Sequence, residues 1–280
     1  MFEDFDQIKY DDIDDHIFDL YTERASAAGE NLGFVDRTKD TIDILLPKSQ
    51  TDLTIRQSIS SLSSTTNTSS TGFVCWKSAL LLADWILSDD SCPLKQLICS
   101  HVVLELGTGV SSLLASTLGP LTKQYVASDQ KHLLKLMKHN FVENVTTTKY
   151  KSSTVEAPNN NPARQNVWPL IDFIELDWEY PEWGMEEFGQ LTGSTTADVI
   201  IACDTIYNSY LIPYFVKTAK RMMGDCSTTI VSLQLRDDTV MELFLKECLD
   251  CGLKIWSIPE TVLSPELRSG FVVYCLRVKQ

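Results

Sequence analysis

The 280-residue chain is poor in basic residues. It has 24 Lys and Arg against 38 Asp and Glu, so its formal net charge is -14. Such a surface repels phosphate, and direct binding to nucleic acid is therefore disfavoured unless a local basic patch exists. The same acidity suits a basic protein partner, although it can also serve simply to keep the chain dissolved.

The cysteines and histidines lack the spacings that mark disulfide frameworks or metal sites. There are eight cysteines and four histidines, and the histidines form no HExxH or other ligand cluster. Cys248 and Cys251 make one CxxC pair, but they fall on a helical pattern and no second pair accompanies them. The sequence implies no metal ion, and several cysteines in apolar runs are typical of small core residues.

Long apolar runs are also missing. The longest, SALLLADWIL, is too short to span a bilayer and contains Asp84. The first residues, MFEDFDQIKYDDIDD, are acidic and unlike a secretory or mitochondrial leader. Together with reduced cysteines, these features lead us to expect no membrane contact and a cytoplasmic location, while they are also compatible with the nucleus.

Residues 1–70 are predicted to form an N-terminal accessory segment. A helical spacing covers residues 10–28, and two alternating runs, TIDILLP and LTIRQSI, predict a pair of strands. A Ser/Thr-rich run up to Gly72 then predicts a flexible tether. We expect this segment to cover the substrate side of a site rather than to join a sheet, so that deleting residues 1–60 would spare cofactor binding.

Residues 71–280 alternate between strand and helix patterns. Five runs, HVVLELG, QYVASD, IDFIELDW, DVIIACD and TTIVSLQL, predict strands of a parallel sheet with helices on both faces. Two closing runs, LKIWSIP and GFVVYCLRV, have no helix between them and predict an antiparallel hairpin at one edge. The prediction is an α/β, Rossmann-like fold with a mostly parallel seven-stranded sheet.

The segment VLELGTGVSS joins the first of these strands to its helix. Gly107 and Gly109 permit a tight turn and a close approach of backbone to ligand at a helix N-terminus. A Walker loop would need a lysine that is absent, and a dinucleotide fingerprint would need glycine where the chain has Ser112. A third candidate ligand, S-adenosylmethionine, has a cationic sulfonium, and the carboxylate of Glu105 beside the loop suits that charge. Asp129, at the end of the next strand, can accept ribose hydroxyls in either type of site.

The strand DVIIAC delivers Asp204 and Tyr207 to its carboxyl end. In open α/β sheets that end is where ligands bind. An acidic side chain there can draw in an ammonium group, and an aromatic ring can wall a narrow channel for it. The alternative is structural, with Asp204 capping the following helix and Tyr207 packed in the core.

Several segments together resemble a known family. FVCWKSALLLADWI, LELGTGVSS, SDQ, LDW and CDTIYN occur in this order, and the chain resembles the family 16 protein-lysine methyltransferases. RQSISSLSS, STGFVCW and SDQKHLLK make it similar to the fungal ribosomal lysine methyltransferase 5 group. The resemblance covers nearly the whole chain. It implies a class I methyltransferase fold, S-adenosyl-L-methionine as cofactor, and monomethylation of a lysine in a basic substrate, large-subunit ribosomal protein one.

The resemblance also implies roles for individual residues. Those expected to contact the cofactor are Trp76, Gly107, Thr108, Gly109, Asp129, Trp178 and Ala202. Asp204 and Tyr207 are expected to be the catalytic pair. The family's glycine loop often has a third glycine at residue 111, where this chain has Ser111.

Other functions stay open at this point. A methyltransferase acting on a small molecule or a nucleic acid could use the same sheet, although nucleic-acid enzymes often have a PPY-type motif where this chain reads CDTIY. A module that binds a partner without catalysis, or a lysine methyltransferase acting on another translation factor, are the remaining alternatives.

Overall fold

The computed structural model describes residues 2–24, 33–62, 71–145, 150–155 and 168–279. The strands are β1 (Asp6–Ile8), β2 (Thr41–Leu46), β3 (Thr51–Arg56), β4 (Val102–Leu106), β5 (Gln124–Asp129), β6 (Leu170–Glu175), β7 (Ala197–Cys203), β8 (Met223–Gln234), β9 (Leu253–Ser257) and β10 (Phe271–Val278). The helices are α1 (Ile13–Glu23), α2 (Ile59–Leu62), α3 (Lys77–Ser88), α4 (Pro93–Ile98), α5 (Leu113–Thr117), α6 (Lys131–Asn144), α7 (Glu182–Thr192), α8 (Ile212–Arg221), α9 (Asp238–Asp250) and α10 (Pro265–Arg268).

The main sheet has the order β1-β9-β10-β8-β7-β4-β5-β6. The five strands from β8 to β6 are mutually parallel, whereas β10 runs antiparallel to both β8 and β9. The predicted Rossmann-like α/β fold, with a mostly parallel sheet and an antiparallel terminal hairpin, is confirmed.

The predicted count of seven strands was wrong because the N-terminal segment supplies an eighth. β1 pairs antiparallel with β9, and Asp6 lies opposite Ser257. Without β1, β9 would be the edge strand, with a row of unpaired backbone N–H and C=O groups. β1 forms hydrogen bonds with part of that row. The expectation that the N-terminal segment stays outside the sheet was therefore also wrong.

Other described parts of the N-terminal segment pack against the main sheet and its helices. α1 buries Ile13, Ile17 and Leu20 and lies against α9, and β2 and β3 form the predicted antiparallel pair. Most of the predicted Ser/Thr-rich tether lies outside the described residues. The domain boundary at residue 70 stays a prediction.

The core lies on both faces of the sheet. All five residues of β4 are buried, as expected for a parallel strand covered by helices on both sides. Val103 belongs to one apolar cluster, while Leu104 and Leu106 belong to the cluster on the opposite face. Within the described ranges, no helix combines the length and hydropathy needed to cross a bilayer.

Candidate active site

A cleft of about 830 Å³ opens at the edge of the sheet where β4, β5, β6 and β7 end. Eight of the nine predicted site residues line it: Trp76, Gly107, Thr108, Gly109, Asp129, Trp178, Asp204 and Tyr207.

Ala202 does not line the cleft. It is fully buried in β7, where it packs in the apolar cluster that contains Ile200 and Phe215. Successive side chains of a strand point to opposite faces of the sheet. The next residue, Cys203, is half-buried and lines the cleft in its place.

The loop after β4 has the tight turn that its glycines predict. Gly107 has a φ of 71°, and a Cβ there would lie 2.7 Å from Cγ2 of Thr205. Gly109 has a φ of 65°, and its Cβ would lie 3.3 Å from the carbonyl oxygen of Gly72. A side chain at either position would be strained and crowded, so the backbone itself forms the wall of the cleft.

The serines that follow these glycines have different conformations. Ser112, rather than Ser111, has the left-handed backbone, with a φ of 48°. Its hydroxyl donates a hydrogen bond to the carbonyl oxygen of Met137 at 2.9 Å. Ser111 is buried and lines the cleft. The loop therefore keeps its shape without a third glycine.

Asp129 bridges the glycine loop and the end of β5. Its Oδ2 accepts a hydrogen bond from the backbone N–H of Gly109 at 2.7 Å, and its Oδ1 accepts one from Gln130 at 2.7 Å. Asp129 does not cap the helix that follows, because Gln130 occupies the N-cap position of α6. Burial raises the pKa of Asp129 to about 6, and the two N–H donors oppose that rise. Each carboxylate oxygen retains a lone pair for a further donor.

Two more carboxylates make this cleft acidic. Glu105 is buried on β4 and accepts a hydrogen bond from the Tyr125 hydroxyl at 2.8 Å; burial raises its pKa to about 7. Asp177 accepts a hydrogen bond from the side chain of Gln130 at 3.2 Å. Asp177 was missed as a site residue, although it stands in the LDW segment beside Trp178. With Asp129, these groups favour a cationic ligand over a phosphate.

The two tryptophans expected at the site form walls of the cleft and are half-buried rather than core residues. Trp76 precedes α3, and its indole N–H donates to the carbonyl oxygen of Thr71 at 3.1 Å. Its ring centroid lies 4.5 Å from that of Phe34 in the N-terminal segment. Trp178 follows β6, and its ring packs edge-on against Phe215 with centroids 5.2 Å apart.

Asp204 is buried in an ion pair that sequence reasoning missed. Its Oδ2 lies 2.9 Å from Nη2 of Arg236, and its Oδ1 accepts the backbone N–H of Gln234 at 3.0 Å. Asp204 has a φ of 53°, and the following helix has Leu211 at its N-cap, so the helix-cap alternative was wrong. Burial raises the pKa of Asp204 above its ordinary value, while Arg236 opposes that rise.

Arg236 joins two predicted site residues. Besides its ion pair with Asp204, its guanidinium lies 4.8 Å from the ring centroid of Trp76. A planar guanidinium can pair with a carboxylate and stack on an indole at the same time. The sequence signal that could have identified Arg236 as a site residue is its position just beyond the carboxyl end of β8, the strand next to β7.

Tyr207 separates the cleft from a smaller cavity. It is half-buried and lines both the main cleft and a cavity of about 370 Å³, which it shares with Ile206, Arg236, Asp237 and Met241. Burial raises the pKa of the Tyr207 phenol above its ordinary value. The ring is therefore placed as a wall at this end of the cleft, and the alternative in which it packs in the core was wrong.

A glycine turn followed by a strand-end carboxylate is the arrangement with which α/β sheets bind nucleotide-like ligands. Among the described residues, no group of three or more His, Cys, Asp or Glu side chains is placed to hold a metal ion. No family model matches the sequence.

The chain has full-length relatives. The ribosomal lysine N-methyltransferase 5 of Zygosaccharomyces rouxii is 31% identical over 298 residues, which cover 90% of this chain and 94% of that one. The protein of the same name from Vanderwaltozyma polyspora is 28% identical, with 96% and 98% covered. The chain therefore belongs to the ribosomal lysine N-methyltransferase 5 family, and the resemblance described above is confirmed.

Solved structures with a similar fold are more distant. Fibrillarin from Aeropyrum pernix, with natively bound S-adenosyl-L-methionine, has a TM-score of 0.44 and 13% identity, with 87% of this chain and 96% of that one covered. A ribosomal protein L11 methylase from Lactobacillus delbrueckii subsp. bulgaricus has a TM-score of 0.45 and 12% identity, with 73% and 79% covered. Similarities of this size carry no conclusion about the reaction.

Proposed function

We propose that the protein is an S-adenosyl-L-methionine-dependent lysine N-methyltransferase that modifies a ribosomal protein. The observation that carries the proposal is the acidic cleft with its glycine turn and strand-end carboxylate, in a chain of the ribosomal lysine N-methyltransferase 5 family. The finer proposal is monomethylation of large-subunit ribosomal protein one in the cytoplasm.

The cleft residues fit this cofactor. A Cβ at Gly107 or Gly109 would be strained and crowded, so the glycine turn itself forms the wall against which the amino-acid end of the ligand would lie. Asp129 would accept the ribose hydroxyls, and Trp178 offers a flat apolar surface for the adenine. Glu105, with a pKa of about 7, places partial negative charge near the ligand's sulfonium and ammonium groups at neutral pH. When bound, S-adenosyl-L-methionine supplies an electrophilic methyl group on a positively charged sulfur.

The chain must also make the substrate amine nucleophilic. A free lysine has a pKa near ~10.4 and is almost entirely protonated at neutral pH. A lone carboxylate beside it would stabilise the ammonium form. Here Arg236 neutralises Asp204, so the pair can orient the nitrogen without holding it charged, and burial beside Tyr207 favours the neutral amine.

The reaction is tested by methyl transfer. We expect purified protein to transfer a radiolabelled methyl group from S-adenosyl-L-methionine to purified large-subunit ribosomal protein one, with mass spectrometry locating the label on lysine. Label on arginine or RNA, or no transfer to any ribosomal protein, would contradict the proposal. A thermal-shift titration with S-adenosylhomocysteine separates the enzyme from a non-catalytic module, because a module without a cofactor site would not be stabilised.

A further inference from the structure

Three aromatic side chains beside the cleft lie in solvent, two in the loop and first helical turn after β6 and one in the loop after β7. Tyr180 is 76% exposed, Trp183 is 72% exposed and Tyr210 is 59% exposed. Single exposed apolar residues are ordinary, but neighbouring exposed aromatics are characteristic of surfaces that bind a partner. The first two residues follow β6, and the third follows β7.

Polar contacts join the segment that follows β6 to the segment that follows β7. The Tyr210 hydroxyl donates a hydrogen bond to Oε1 of Glu179 at 2.7 Å, and its ring centroid lies 5.3 Å from that of Tyr214. Nη1 of Arg221 on α8 lies 2.8 Å from Oε1 of Glu182 on α7. We call the surface that they form the aromatic rim, and its residues are Tyr180, Trp183, Tyr210 and Tyr214.

The aromatic rim adjoins the mouth of the cleft. Trp178, two residues before Tyr180, lines the cleft, and so does Leu211, which follows Tyr210. A polypeptide that inserts one side chain into the cleft can therefore lay its neighbouring residues on the rim.

The charges near the rim select the chemistry of the partner. Glu179, Glu182 and Glu186 lie on the loop and the first turns of α7, and Arg221 is already paired with Glu182. Aromatic faces and carboxylates both attract cations, whereas the carboxylates repel a phosphate backbone. The net charge of -14 extends this preference to the whole chain. We propose that the aromatic rim binds a Lys- and Arg-rich segment of the protein substrate next to the methylated lysine, a role that rests on the proposed function.

The test compares KM with kcat in a rim variant. We expect the Tyr180→Ala/Trp183→Ala variant to raise the KM for large-subunit ribosomal protein one roughly tenfold, because two cation-binding rings are lost. We expect kcat to stay within about twofold, because neither side chain lines the cleft. Calorimetry with S-adenosylhomocysteine should give the same affinity as the wild-type protein.

Phe18→Ala is the matched control. Phe18 is 70% exposed on α1, which packs against α9 away from β6 and α7, so its removal should leave KM unchanged. A KM that rises equally in Phe18→Ala, or one that does not rise in the rim variant, would overturn the proposal.

A binding measurement separates this proposal from the reaction itself. Fluorescence anisotropy of labelled large-subunit ribosomal protein one should show binding to the wild-type protein that weakens as salt is added. At a fixed salt concentration, the rim variant should bind the labelled protein roughly tenfold more weakly than the wild-type protein does. That result without methyl transfer would support the rim while the proposed reaction fails. A 20-nucleotide single-stranded RNA that binds as tightly, and loses affinity in the rim variant, would overturn the proposal in favour of a nucleic-acid surface.

Discussion

The ion pair between Asp204 and Arg236 provides a quantitative test of the site. The Asp204 side chain is 1% exposed and that of Arg236 is 19% exposed, so Arg236→Met would leave a buried carboxylate without its cation. Removing one partner of a buried pair costs about 3–5 kcal/mol. We expect about 3 kcal/mol, the lower end, because the N–H of Gln234 still donates to Asp204. For a chain of this length that corresponds to a fall in Tm of roughly 6 °C.

The loss should depend on pH with a defined sign. Burial raises the pKa of Asp204 and Arg236 opposes that rise, so the pKa should increase further in Arg236→Met. A carboxyl group whose pKa is higher in the folded state stabilises that state below the unfolded pKa of about 3.9. This contribution disappears as the pH rises through the folded pKa. We therefore expect the difference in unfolding free energy between wild-type and variant to be larger at pH 8 than at pH 5.

Urea unfolding between pH 5 and pH 8 measures this difference. Asp204→Asn is the control, because it removes the titrating carboxyl. Combining it with Arg236→Met in a double variant gives the coupling energy between the two side chains. Arg236→Lys keeps the charge but loses the planar fork, and should recover part of the stability. A stability difference that is constant over this pH range, or additive effects in the double variant, would refute the reasoning.

Three further predictions concern the cleft. Asp129→Ala should weaken S-adenosylhomocysteine binding by about 1–3 kcal/mol, because two hydroxyl donors lose their acceptor; unchanged affinity by calorimetry in a folded variant would remove Asp129 from the site. Gly107→Ala should lower the melting temperature and abolish that binding, since its Cβ would meet Thr205 and a left-handed alanine costs about 1–2 kcal/mol; a fully stable variant that still binds would contradict the turn geometry. Asp204→Asn should keep cofactor affinity while the methylation rate falls roughly 10²-fold, and full activity would exclude its catalytic role.

The sheet was predictable because its signals are local. Five buried parallel strands read as short apolar runs, and four of them, β4 to β7, end at the residues that line the cleft. β1 was missed because a three-residue strand shows too little alternation to be recognised. α7 was also missed, although Gly193 marks its end with a φ of 73°, because its short pattern follows directly on the LDW segment.

The parts of the site that were missed depend on tertiary contacts. Arg236 lies 32 positions after Asp204, and nothing in the sequence between them indicates that the two side chains meet. The face to which Ala202 points follows from the pleat of β7 within the sheet rather than from its neighbours in the chain. From the sequence, Ser112 was noted only because glycine is absent there. Its left-handed backbone could not be predicted, because that conformation depends on the fold.

The N-terminal segment contacts a wall of the cleft, which argues against the expectation that deleting residues 1–60 spares cofactor binding. The N–H of Val35 donates to the carbonyl oxygen of Cys75 at 3.0 Å, and Phe34 packs on Trp76, which in turn contacts Arg236. Deletion would expose the Trp76 ring to solvent and remove support from Arg236, the ion-pair partner of Asp204. We therefore expect Phe34→Ala to weaken S-adenosylhomocysteine binding as well as methyl transfer. Calorimetry that shows wild-type affinity in Phe34→Ala would return this segment to the role of a cover for the substrate alone.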